Sequence, residues 1–405
     1  LMAGFERHLA DELEAIREAG LWRELRRVDS VEANRITIEG REYLNFSSND
    51  YLGLACHPAL GQAAKEAVEK FGVGSGASRL ICGSLDPHHE LEAALADWLG
   101  AESALVFSSG FAAAQGALTS LLGQGDVVIL DKKAHASMID AAKLSGATLR
   151  VFRHNDLENL EQRLQWAAEQ GGRVLVATES IFSMDGDSPD LTALIELKER
   201  YGAWLMLDEA HALGCHGEGG SGLAKRVEIR MGTLGKAVGV AGGFICGSRG
   251  LVELLVNKAR SCIFSTAPSP AVSAAAVAGV KLVRGEKGES LREQLWQRVE
   301  ELRRGVEALG WSIPAEPSAI LPLIVGGEAK ALAMMGQLRE AGLFIPAIRY
   351  PTVARNEARL RVTVSASHSS DDLQALLEAL ARYEICPFES CRASLATVSK
   401  VYSLK

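Results

Sequence analysis

Trp204-Leu205-Met206-Leu207-Asp208-Glu209-Ala210-His211 is the stretch whose reading decides the fold. Four consecutive apolar residues leave a strand no polar face, so such a strand is buried on both sides. That is the pattern of a mainly parallel sheet covered by helices. The run then stops abruptly in two carboxylates and a histidine. Ligands in open α/β sheets bind just beyond the carboxyl ends of the strands, so chemistry is expected at this end.

Three further runs repeat the pattern. Ala104-Leu105-Val106-Phe107 leads to Ser108-Ser109-Gly110, Val127-Val128-Ile129-Leu130 to Asp131, and Val174-Leu175-Val176-Ala177 towards Glu179. Between them lie helical patterns. Residues 49–285 therefore read as a large α/β unit. Before it, Phe5, Leu9, Leu13 and Ile16 recur at helical spacing, and Arg35–Ile38 and Tyr43–Phe46 flank Glu39-Gly40 as a short strand pair; residues 1–48 are read as this helix and these strands. After it, Arg359–Val364 alternates as a half-buried strand does. A capped helix follows through Ser370-Asp371-Asp372, Leu373, Leu376, Leu377 and Leu380, so 286–387 reads as a small α+β unit. Residues 388–405 form a tail without a clear period.

Composition narrows the class. The 405 residues are 47% hydrophobic, enough to fill a large core. A net charge of −8 argues against nucleic acid or an anionic membrane as the main partner. The seven cysteines (56, 82, 215, 246, 262, 386 and 391) are an odd count without a C-x-x-C pair, which suits reduced thiols. His88, His89 and Glu90 are adjacent and lack zinc spacing. Leu1-Met2-Ala3-Gly4 leads into charged residues, and no 18-residue apolar run occurs, so a cytoplasmic protein is expected.

Several residues fit one chemistry. Lys236 sits among small residues in Thr233-Leu234-Gly235-Lys236-Ala237-Val238-Gly239, after a strand-like run from Val227 to Met231. It is no P-loop, because Arg230 and Ala237 stand where glycine and Ser or Thr are needed. A surface lysine is the ordinary reading. In a desolvated pocket, however, its amine pKa falls and it can form an imine. Asp208 could simply cap a turn, or it could pair with a pyridine nitrogen, with His211 reaching the ring's phenolate oxygen. Ser108-Ser109-Gly110-Phe111 opens a helical pattern whose free amides suit a phosphate. Gly72-Val73-Gly74-Ser75-Gly76 follows a helical segment rather than a strand, so it is discounted as a nucleotide site. His135 could stack on a flat cofactor, and Arg361, inside a cleft, could hold an α-carboxylate bidentately.

Taken together the segments resemble the α-oxoamine synthase family of fold-type-I pyridoxal 5'-phosphate (PLP) enzymes over about residues 20–385. The motifs are Asn45-Phe46-Ser47-Ser48-Asn49-Asp50-Tyr51-Leu52-Gly53-Leu54, Phe182-Ser183-Met184-Asp185-Gly186-Asp187, Asp208-Glu209-Ala210-His211 and Gly232-Thr233-Leu234-Gly235-Lys236. Asn45–Leu54 and Ala347–Val353 are most similar to the branch that condenses a pimeloyl thioester with L-alanine in biotin synthesis. Tyr350-Pro351-Thr352 also resembles the branch that makes 5-aminolevulinate. Cys215-His216 departs from the apolar residues usual in the family, and the tail beyond about 387 is extra.

The resemblance implies a PLP-binding α/β domain, a small C-terminal α+β domain, and a homodimer with its active site at the interface. It implies that Lys236 carries PLP, Asp208 pairs with the ring nitrogen, His211 with the phenolate oxygen, and His135 stacks over the ring. Gly110, Phe111 and Thr233 would hold the phosphate, with Ser183 nearby; Thr266 would reach the neighbouring subunit's phosphate. Arg361 would take the amino acid's carboxylate beside Asn49, while Thr352 and Arg23 would face the acyl thioester, a CoA or carrier-protein derivative. No metal is implied. The rivals are sister synthases using glycine or serine with another acyl-CoA, a non-catalytic partner subunit, and a nicotinamide dehydrogenase. The last lacks a strand-preceded G-x-G-x-x-G.

Overall fold

A computed structural model describes residues 2–383. The tail expected at 388–405, and Pro387 before it, lie outside the described residues, as do Cys386 and Cys391. Seven strands form the main sheet, in the spatial order Ser103–Phe107, Gly243–Gly247, Ile229–Thr233, Trp204–Asp208, Val174–Glu179, Val127–Asp131, Thr148–Phe152. Gly243–Gly247 runs antiparallel to both neighbours, and the remaining pairings are parallel.

The apolar runs become strands because each alternate residue finds a different core. Val128, Leu130, Leu175, Ala177 and Met206 pack with the helices Gly110–Leu121 and Ala136–Ser145. Val127, Ile129, Val176 and Leu205 face Leu160, Leu164, Leu194 and Leu197 of the helices Leu157–Ala168 and Leu191–Arg200 on the other side. Truncating a side chain such as Leu205 in this double layer to alanine costs about 2–5 kcal/mol.

The parallel strands bring Gly110, Asp131, Glu179, Asp208 and Thr233 to one edge of the sheet. Glu179 and Asp208 are direct partners across adjacent strands, and Asp208 pairs with Met231 on the next. At the antiparallel strand a Cβ on Gly243 would stand 2.4 Å from the Gly110 amide, so only glycine lets the Gly110–Leu121 helix begin so close to the sheet.

The N-terminal hairpin forms between Arg35–Ile38 and Arg41–Asn45, turning through Glu39 and Gly40 at φ 52° and 74°. Leu343–Phe344 adds to it in parallel. Towards the C-terminus Ile320–Gly326, Ala358–Thr363 and Ala347–Ile348 form a three-stranded antiparallel sheet.

Three sequence expectations change. The Ala358–Thr363 strand is buried on both faces, because the turn 182–187 covers the side that carries Arg359 and Arg361. The strand before Lys236 is Ile229–Thr233, two residues later than its hydrophobic pattern suggested. The last helix is capped by Ser369, reciprocally with Asp372, rather than by Ser370. No helix among the described residues is long and apolar enough to cross a membrane.

Candidate active site

Lys236 lies three residues beyond the end of the Ile229–Thr233 strand, in a turn that closes when Gly239 N donates to its carbonyl. Its Nζ is 2.9 Å from His211 Nε2. On the far side of the imidazole, Tyr51 Oη lies 2.6 Å from Nδ1. Burial, opposed by Asp208 and Glu179, brings the Lys236 amine down to about 8. Burial, reinforced by the nearby Lys236 and Arg361, holds His211 well below the ordinary imidazole value. The pocket thus contains a lysine that can shed its proton near neutral pH and a histidine kept neutral.

Two acids face this pair. Asp208 is 4% exposed, and its Oδ1 accepts from the Ala210 amide at 2.9 Å. Its sequence neighbour Glu209 turns away and is consumed by Arg230, 2.5 Å off, and by the Leu223 and Ala224 amides. Glu179 is 2% exposed; its Oε2 accepts from Ser183 N at 3.3 Å, while Oε1 is buried without a partner. Burial and the adjacent Asp208 push the Glu179 carboxyl well up, towards the neutral acid.

His135 ends the approach to the helix Ala136–Ser145. Its Nδ1 lies 2.8 Å from Ser137 Oγ, and burial, with Lys236 as a nearby cation, lowers its pKa despite Asp208. Gly110 and Phe111 supply the first amides of Gly110–Leu121, which helix geometry leaves without internal partners. Ser109 Oγ caps the Ala112 amide. Thr233 lies against Gly110, its Oγ1 donating to Gly242 O and accepting from Gly235 N.

Arg361 reaches the pocket from the small sheet and is 4% exposed, not solvated. Nε donates to Ser183 O at 2.6 Å, Nη1 to Thr363 Oγ1 at 2.9 Å, and Nη2 to Asn49 Oδ1 at 3.1 Å. Arg23 and Thr352 share a separate cleft of about 330 Å³ with Leu21, Ile348, Arg349 and Tyr350. Thr266 is exposed and its backbone bridges to Ser78.

Tyr51 and Glu179 were not singled out as site residues in the sequence. Tyr51 sits inside a quoted motif, and Glu179 ends a quoted strand, so the strand-end rule alone pointed to the latter. Cys215 and His216 lie one layer back. His216 packs edge-on against Trp296, and burial takes its imidazole to about 4.

The donor set fits PLP. A buried amine, a carboxylate on the adjacent strand, an acid oxygen without a partner and a helix N-terminus beside a threonine hydroxyl match its aldehyde, ring and phosphate.

Comparison with known proteins agrees. The aminotransferase class I and II family model matches residues 41–380. The chain is similar to an 8-amino-7-oxononanoate synthase of Herminiimonas arsenicoxydans, 45% identical over 381 residues, spanning 92% of this chain and 98% of that one. Among solved structures it resembles a serine palmitoyltransferase of S. paucimobilis with bound PLP and myriocin (TM-score 0.87, 30% identity, 94% and 97% of the two chains). It also resembles an 8-amino-7-oxononanoate synthase of Francisella tularensis (TM-score 0.72, 28% identity, 83% and 96%). With this pocket at the strand ends and these relatives along nearly its whole length, the chain belongs to the α-oxoamine synthases of the class I and II aminotransferase family.

Proposed function

We propose that this chain binds PLP through Lys236 and condenses L-alanine with a pimeloyl thioester, on CoA or a carrier protein, releasing CO2 and the free thiol. The product is 8-amino-7-oxononanoate, an intermediate of biotin synthesis. The observation that carries the reading is the Lys236 amine, buried 2.9 Å from a neutral histidine and facing Asp208, in a chain 45% identical to such a synthase.

Bound PLP supplies an electron sink for negative charge at the amino acid's Cα. Asp208 would hold the proton on the ring nitrogen. His211, fixed from behind by Tyr51, would face the phenolate oxygen, and His135 would cover the ring. Gly110 and Phe111 amides and the Thr233 hydroxyl would bind the phosphate. Arg361, braced by Ser183 and Asn49, holds the alanine carboxylate and so orients the Cα–H bond. Lys236 would anchor PLP and is the group placed to take and return the proton at the amino acid's Cα; an amine brought down to about 8 suits a group that both accepts and donates a proton. Arg23 and Thr352 line the approach of the acyl chain. In a homodimer Thr266 would reach the neighbouring protomer's phosphate site.

The test is to incubate PLP-reconstituted protein with pimeloyl-CoA and either L-alanine or glycine, following free CoA by chromatography. Fast release with alanine and little with glycine is expected. Release with neither would move the reading to a sister synthase with another acyl donor.

A further inference from the structure

His154 lies beyond the end of Thr148–Phe152 and takes no part in the chemistry above. Its Nδ1 is 2.9 Å from Asp131 Oδ1 and its Nε2 is 2.8 Å from Asp187 Oδ2. A carboxylate only accepts, so both ring nitrogens must carry hydrogen and the ring is an imidazolium. It is a cation held between the strand-end Asp131 and the turn residue Asp187.

Asp187 closes the turn that carries Ser183 and Asp185. Phe182 N donates to Asp187 O at 2.9 Å, Gly186 N to Phe182 O at 2.8 Å, and the Phe182 ring meets His154 edge-on. Asn155 adds a second hold, Nδ2 donating to Asp187 Oδ2 at 3.0 Å. From the opposite side this turn receives the small sheet: Ser183 O accepts from Arg361 Nε, and Asp185 pairs with Arg359 and with Lys133. The turn therefore joins the Asp131 strand end to the guanidinium facing the amino acid.

We propose that His154 is a positioning residue: by locking Asp187 to Asp131 it fixes the turn 182–187, and through Ser183 O it sets the direction of Arg361 and the affinity for the amino acid's carboxylate. The inference rests on the carboxylate role given to Arg361 above. A metal-centre reading of the cluster does not hold. His154, Asp185 and Asp187 come close enough to share an ion, but both ring nitrogens are spent and Asp185 already meets two cations. Burial would lower the His154 pKa; the two carboxylates outweigh it and raise it to about 9, in keeping with the geometry.

The experiment uses PLP-loaded enzyme with His154→Gln, Asp187→Asn and the double variant. PLP binding is read from cofactor absorption without substrate. Alanine affinity is read from the change in that absorption on titration, and kcat and KM from CoA release. Each single variant should bind PLP like the parent, weaken alanine about tenfold through KM, and leave kcat within about twofold. The double variant should be little worse than either single one, because both substitutions break the same His154–Asp187 link. Unchanged alanine affinity in PLP-loaded Asp187→Asn overturns the proposal, as does parallel loss of PLP and alanine binding. A parent enzyme that binds PLP and gives no response to alanine overturns the functional reading and this one with it.

Discussion

His211 and His154 both lie near the carboxyl edge of the main sheet, and burial alone would lower the pKa of each. Their company drives them apart. His211 faces Lys236, Arg361 and His135 and stays neutral, available to pass or accept a proton. His154 is gripped by Asp131 and Asp187, is raised to about 9, and is a permanent cation at neutral pH. One edge of one sheet thus holds a chemical histidine and a mechanical one. At His211 burial is the larger cause and its cationic neighbours reinforce it; at His154 two carboxylates outweigh burial and reverse the sign.

The sharpest way to break the comparison is on the chemical side. Lys236→Ala should lower turnover by roughly 1,000-fold or more, measured as alanine-dependent CoA release, because base and cofactor anchor vanish together. Asp208→Asn should cost about 100-fold in kcat while PLP still binds, seen by comparing cofactor absorption with rate. Full rate in this variant would remove Asp208 from the mechanism.

On the mechanical side the effect is on stability. The folded pKa of His154 is raised above the ordinary imidazole value of 6.5, so its contribution is complete below about that pH and is lost as pH climbs through about 9. His154→Gln in cofactor-free protein should lose about 2 kcal/mol near neutrality, read by denaturant titration, and the gap should close above about pH 9. A gap independent of pH would mean that the ring acts by packing alone.

The smallest expected effect is Tyr51→Phe. The hydroxyl 2.6 Å from His211 Nδ1 orients the ring without touching the reacting atoms. Its loss should lower kcat/KM about five- to tenfold. A loss as large as that of Asp208→Asn would give Tyr51 a direct part in proton transfer.

The contrast also separates what the sequence could reveal from what it could not. Val127–Leu130 and Trp204–Leu207 were legible as strands because their alternate residues fill two different cores, leaving no polar position. Thr148–Phe152 was not, since it is an edge strand whose Arg150 and Val151 are not buried. Gly243–Gly247 escaped notice because close approach to the Gly110 helix demands glycine where strands usually place bulk. At the site, Lys236, Asp208 and His211 were legible through the order of their motifs. Glu179 was marked only as a strand end, and Tyr51 and His154 not at all, because their roles come from contacts across the fold, such as Tyr51 meeting a histidine 160 residues away. The half-buried reading of the strand carrying Arg361 fails for a related reason: alternation shows that a strand has a polar face, but not that a distant turn covers it.

The most direct test is to reconstitute the purified protein with PLP, reduce it with borohydride and locate the phosphopyridoxyl group by peptide mass spectrometry. Modification at Lys236, lost in Lys236→Ala, is the predicted result. A label on another lysine, or none at all, would contradict the assignment of Lys236 on which the mechanism depends.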